Sequence, residues 1–123
     1  MTYGAGGGTR DKTLKIVQQA KSEIGLESAA HVTCVGCSRI GIREILDELV
    51  RSGIENVVAL RGDPPKGQTR FAPHLNGFRY ASELTAFIRQ SYLLCIAVAG
   101  YPEGHIESPK ETDWAHLEEK VNA

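Results

Sequence analysis

The sequence predicts an α/β fold built on a parallel sheet, and two observations carry that reading: short runs that are almost wholly apolar, and amphipathic helical stretches between them. The apolar runs are His31 to Val35, Val57 to Leu60 and Leu94 to Ala99. Runs without polar alternation suit strands covered on both faces, as in parallel sheets flanked by helices. Ile42, Ile45, Leu46, Leu49 and Val50 recur at i, i+3, i+4, i+7 and i+8 and form one stripe of a helix that Gly53 ends. Leu14, Val17, Ala20 and Ile24 form a similar stripe, with Thr9 placed to cap it and Gly25 to close it. Leu84, Phe87 and Ile88, preceded by Tyr80 or Ser82, predict a third helix, and Trp114, Leu117 and Val121 a fourth that runs to the end of the chain.

Met1-Thr2-Tyr3 reads as the end of one further strand, so the order implies about four β/α units, the first without most of its strand. At ~30 residues per unit, a closed eight-unit barrel needs ~250 residues, about twice the 123 present. The pattern therefore fits half a barrel, and it fits equally a small doubly wound open sheet. Composition narrows the function classes. With 14 basic and 15 acidic residues and a net charge of −1, the chain has no field to concentrate nucleic acid or anionic lipid. It has no apolar stretch near the ~20 residues that span a bilayer and no signal-peptide core, so a cytoplasmic location is expected. Three cysteines, Cys34, Cys37 and Cys95, make an odd set with no disulfide framework, and reduced thiols are expected.

Ligands of parallel α/β folds sit at the C-terminal ends of strands, and the residues there are chemically rich. Thr2-Tyr3-Gly4-Ala5-Gly6-Gly7-Gly8 would feed a helix N-terminus and can serve either as an anion site or as a plain flexible loop. Thr9 stands where a dinucleotide fingerprint needs its third glycine, so that motif is excluded. Arg61-Gly62-Asp63-Pro64-Pro65 places a guanidinium and a carboxylate at a strand end, able to hold a polar ligand head or to pin the loop by an ion pair. Tyr101, Glu103 and His105 follow the last apolar run, and Tyr101 could stack on a ring or wedge the sheet's mouth. His31 inside an apolar run is, by its surroundings, more at home as a hydrogen-bonded core residue. Cys34 and Cys37 form a C-x-x-C without the second ligand pair that a zinc site needs, and a redox dithiol, which belongs at the start of a helix such as the one from Ser38 onward, is the lesser reading beside plain packing.

Taken in order, these segments resemble methylenetetrahydrofolate reductase along nearly the whole chain. The match is carried by Thr2-Tyr3-Gly4-Ala5-Gly6-Gly7 with Thr9-Arg10-Asp11, by His31-Val32-Thr33-Cys34, by Ala59 to Pro65, by Tyr80-Ala81-Ser82-Glu83-Leu84, and by Ala97 to Glu103 with His105. The resemblance implies a (β/α)₈ TIM barrel of which residues 1–123 are a part truncated at both ends, from the end of the second strand to the fifth helix. It implies FAD as cofactor, NADH or NADPH as electron source, and reduction of 5,10-methylenetetrahydrofolate to 5-methyltetrahydrofolate, the one-carbon step that supplies methyl groups for methionine synthesis. Flavin contacts carried over by position are Thr2, Tyr3, Ala5, His31, Arg61, Gly62, Asp63, Tyr80, Ala81, Tyr101 and His105. Asp113, His116 and Lys120 match a further cofactor-binding group, and their i, i+3, i+7 spacing puts them on one helix face. Trp114, Leu117 and Val121 would then face the core.

Asp63 is the expected catalytic residue, a carboxylate placed to stabilise an iminium cation of the folate before hydride arrives. The resemblance also implies that the acidic proton donor belongs to the first barrel strand, outside this chain, and that the chain alone is inactive. Partners are then small molecules rather than nucleic acid or membrane, and a homo-oligomeric full-length protein is compatible with the reading. Three departures stand out: Ile106 replaces a usual proline, Cys37 has no family counterpart, and Lys66 to Arg79 is a variable loop to which no function attaches. Two other readings remain, a different flavin- or phosphate-binding barrel enzyme and a non-catalytic half-barrel that serves as an interaction module.

Overall fold

The computed structural model describes residues 10–64, 67, 70–104 and 109–123. Four helices, α1 (Arg10–Ile24), α2 (Arg39–Arg51), α3 (Ala81–Ser91) and α4 (Lys110–Asn122), alternate with three strands, β1 (Ala29–Thr33), β2 (Asn56–Leu60) and β3 (Cys95–Val98). The strands pair in parallel in the order β1-β2-β3, with Ala30 opposite Val57, Val32 opposite Ala59, and Val57 opposite Ile96. Each strand thus lies beside the next in sequence, and helices make the crossovers that parallel pairing requires. The first strand's end, expected at Met1 to Tyr3, lies outside the described residues, as does Thr9.

The caps explain where the helices stop and start. α1 closes at Gly25, whose φ of 72° is the left-handed conformation that glycine adopts without a Cβ penalty; there Gly25 N–H and Leu26 N–H donate to the carbonyls of Lys21 and Ala20. α2 opens at Ser38, whose Oγ accepts from Gly41 N–H at 3.1 Å. α3 opens at Tyr80, and with no side-chain cap there, the Glu83 carboxylate accepts from Arg79 N–H at 2.8 Å.

One hydrophobic cluster holds the layers together: Leu14 and Val17 from α1, Ile42, Ile45, Leu46 and Leu49 from α2, Leu84 and Ile88 from α3, and Ala30, Val32, Val57 and Ala59 from the sheet. Two stripe residues differ from expectation. Val50 and Ile24 are exposed, because each lies at the outer margin of its helical stripe, where Leu49 and Val17 already fill the contact.

The sheet is not buried on both faces, as its apolar runs predict. Burial alternates along β1 and β2, so that Ala30, Val32, Val57 and Ala59 are buried while His31 and Val58 are half-exposed, and in β3 Cys95 and Ala97 are exposed. The register puts His31, Val58 and Ala97 side by side on that second face. The described helices cover the opposite one, together with the loop residues Cys34, Ile54 and Phe78. The strands are also displaced from the predicted runs: β1 begins at Ala29 and ends at Thr33, and β3 keeps only Cys95–Val98.

A second correction concerns the loop after β2. Its described second half is a strap across the start of α2. Val35 and Pro73 form an antiparallel bridge, Arg39 N–H donates to Asn76 O at 2.8 Å, and Phe78 is among the largest fully buried side chains. Gly77 passes so close to Cys37 that a Cβ there would sit 2.6 Å from the Cys37 carbonyl oxygen. The segment therefore completes the core instead of hanging from it. The third correction is α4, which has no buried residue: Trp114 is 52% and Val121 73% exposed, leaving Leu117 to dock the helix against Gly100. Trp114 carries the Lys110 ammonium over its ring instead.

Candidate functional site

The C-terminal end of β2, the start of α3 and one face of α4 surround a cavity of about 310 Å³. This is the low end of the ~300–1,000 Å³ of small-molecule sites. Leu60, Arg61, Gly62 and Asp63 enter from β2, Tyr80, Ala81 and Ser82 from α3, Ala99 and Tyr101 from the end of β3, and Asp113, His116 and Lys120 from α4.

Each wall has a local cause. Gly62 turns the chain at φ 85°, and a Cβ on it would approach Val35 Cγ1 to 2.9 Å and Thr33 Cβ to 3.2 Å. Only glycine lets the backbone leave β2 there with Arg61 and Asp63 on either side. Arg61 is half-buried with its guanidinium over the ring of Phe71, 5.3 Å from the centroid. Asp63 is exposed at the cavity's edge. Tyr80 is placed by its backbone, since its carbonyl accepts from the buried Cys34 thiol at 3.6 Å. Burial pushes that thiol up to about 12, aided by the charge of Glu83, so Cys34 stays protonated and donating. The Tyr80 ring stacks on His116 with centroids 6.1 Å apart and planes 20° apart. Lys120 reaches back to donate to Ala99 O at 2.8 Å, tying α4 to the end of β3. Partial burial lowers its pKa, while Asp113 acts in the opposite sense.

The structure thus brings together Arg61, Gly62, Asp63, Tyr80, Ala81, Tyr101, Asp113, His116 and Lys120 of the expected site. His31 is not among the cavity's walls; it sits half-buried on the open sheet face, where burial lowers its pKa. Thr2, Tyr3, Ala5 and His105 lie outside the described residues. Cys34 and Cys37 are buried thiols outside any disulfide, and among the described residues no group of His, Cys, Asp and Glu side chains is placed to hold a metal. Sequence reasoning passed over Phe71, and the available signal was faint: one of two phenylalanines in a loop otherwise made mostly of Gly, Pro and polar residues.

Two cations, two carboxylates, aromatic rings and small residues around a strand-end cavity define a parallel α/β protein with a polar site at the C-terminal ends of its strands. Comparison with known proteins gives the particular family. The family model described as methylenetetrahydrofolate reductase matches residues 1–123. The chain is 38% identical to a probable methylenetetrahydrofolate reductase (NADH) of rice, with all of the chain and 23% of the rice protein covered. It is 40% identical to the 5,10-methylenetetrahydrofolate reductase of Pectobacterium carotovorum and 38% to that of Escherichia coli, covering all of the chain and 40% of each relative. The chain belongs to the methylenetetrahydrofolate reductase family, and it spans between 23% and 40% of the length of these relatives. Among the described residues no helix is long and apolar enough to cross a membrane.

Proposed function

We propose that this chain forms one side of a (β/α)₈ barrel that reduces 5,10-methylenetetrahydrofolate to 5-methyltetrahydrofolate with FAD as cofactor and NADH or NADPH as electron source. The observation that carries the reading is the convergence in one cavity of nine residues expected at the cofactor site, from four separate parts of the chain. The residues fit a flavin dinucleotide chemically. Arg61 and Lys120 offer charge-assisted donors to a diphosphate, Asp113 can accept from ribose hydroxyls, Tyr80 and Tyr101 present ring faces, and Gly62 and Ala81 permit close approach.

When bound, the cofactor supplies the hydride chemistry. The chain's own residues bind and orient. Lys120 is held by the Ala99 carbonyl in a partly desolvated position where an anion strengthens its charged form. Asp63, at the exposed edge, can meet an incoming folate and stabilise the iminium cation that precedes reduction. His31, on the open sheet face, and Thr2, Tyr3, Ala5 and His105 complete the proposed cofactor set. The proton donor belongs to a strand outside this chain, so the chain alone is proposed to be inactive.

The test uses the full-length protein. It should bind FAD, and Asp63→Asn should slow folate reduction far more than oxidation of the pyridine nucleotide, because only the folate step develops a cation. Equal slowing of both half-reactions in stopped flow would remove Asp63 from the mechanism, and absence of a flavin spectrum after reconstitution would sink the assignment.

A further inference from the structure

We infer that Phe71, in the strap after β2, is a positioning residue that fixes the Arg61 guanidinium for the anionic part of the bound dinucleotide. The inference rests on the reading of the cavity as that cofactor's site. Three arginines stand over phenylalanine rings: Arg39 over Phe78 at 4.7 Å, Arg43 over Phe87 at 5.2 Å and Arg61 over Phe71 at 5.3 Å. Of these, Arg61 is the one that lines the cavity. Its ring partner is not a loose loop residue. Phe71 is partly buried and packs against the hydrophobic core, and two residues later Pro73 is bridged to Val35 at the end of β1. Asn76 and Phe78 anchor the rest of the strap through α2 and the core. The ring is therefore a fixed platform beside the strand end from which Arg61 projects.

Arginine loses rotamer freedom when it binds an anion, and a guanidinium already held on an aromatic face has lost part of that freedom in advance. Attraction of a guanidinium to a ring needs no hydrogen-bond acceptor, so an arginine oriented in this way can still donate to a phosphate. A Phe at this position thus acts on ligand affinity only through Arg61. That dependence separates positioning from simple packing.

The experiment is a double-mutant cycle on FAD affinity in the full-length protein, read by titrating apoprotein into flavin and following its fluorescence. Phe71→Leu keeps apolar bulk and removes the ring; with Arg61 present it should weaken FAD binding about three- to tenfold, the range expected of a cation–π contact. Phe71→Tyr should restore affinity. In an Arg61→Gln background Phe71→Leu should cost nothing further, which gives a non-additive cycle. Equal losses in both backgrounds would make Phe71 a packing residue, and no loss with Arg61 present would remove it altogether; either result overturns the inference while leaving the cofactor site standing. Should Phe71→Leu fail to fold, Phe71→Met carries the same comparison. A parent protein that binds no FAD would remove the reading of the cavity first, and this inference with it.

Discussion

Gly62 shows how one residue can shape the site through its backbone alone. Its φ of 85° and the 2.9 Å approach of a built Cβ to Val35 both forbid a side chain. Gly62→Ala should therefore lower stability by about 2 kcal/mol or more, from ~1–2 kcal/mol of left-handed strain plus overpacking of ~1–3 kcal/mol. A urea midpoint unchanged by the substitution would contradict that geometry. His31 gives a pH-dependent expectation. Burial lowers its folded-state pKa from the ordinary 6.5, so the unfolded chain takes up its proton first as pH falls. The stability linked to neutral His31 is full above its ordinary pKa and is lost as pH falls through the folded value. Between about pH 7 and pH 5 the wild type should lose more stability than His31→Asn does. A parallel decline of the two would show that His31 does not titrate differently on folding.

The strap makes the corresponding point for a whole element. Phe78, at 1% exposure, anchors it, so Phe78→Ala should cost ~3–5 kcal/mol. Leu75, in the same strap but 96% exposed, should change by no more than ~0.5 kcal/mol when truncated. Comparable losses at both positions in chemical denaturation would mean that the strap does not dock as described. Helices whose stripe runs several turns were legible in the sequence: four of the five α2 stripe residues are buried, and Ser38 and Gly53 bound it. The face shared by Asp113, His116 and Lys120 was legible too, because helical spacing alone puts them together. The strap was not legible, since its docking depends on a β-bridge and a cap contact between segments far apart in sequence, which no local periodicity encodes. Strand composition also misled: Ala97 and Val58 look like core residues, but composition cannot say whether a second layer lies over them.

For the molecule as a whole, the sheet's second face is the main unresolved demand on folding. His31, Val58, Ala97 and Cys95 lie there, and burying apolar surface is worth ~25 cal/mol per Å². If the rest of a barrel covers this face, Cys95 is exposed in the 123-residue chain and protected in the full-length protein. Alkylation at neutral pH should then label Cys95 readily in the short chain and slowly in the native full-length form. Equal labelling rates would argue that nothing packs over the sheet. The same open face and, among the described residues, the outer edges of β1 and β3 make the short chain prone to association, because unpaired edges template pairing with other chains.

The lack of any buried residue in α4 ties ligand occupancy to local order. A helix docked only through half-buried side chains, Leu117 against Gly100, His116 on the Tyr80 ring and Lys120 on the Ala99 carbonyl, belongs to a less protected cooperative unit than β2, which is paired on both sides. Asp113, His116 and Lys120 therefore sit on a wall that opens before the floor made by Arg61, Gly62 and Asp63. Any ligand that engages all six residues binds only the closed form, and by mass action it must slow α4's amide exchange with solvent deuterium as its concentration rises. Added FAD should accordingly protect amides 110–122 while leaving those of 56–60 unchanged, so that binding is recorded as the ordering of a single helix.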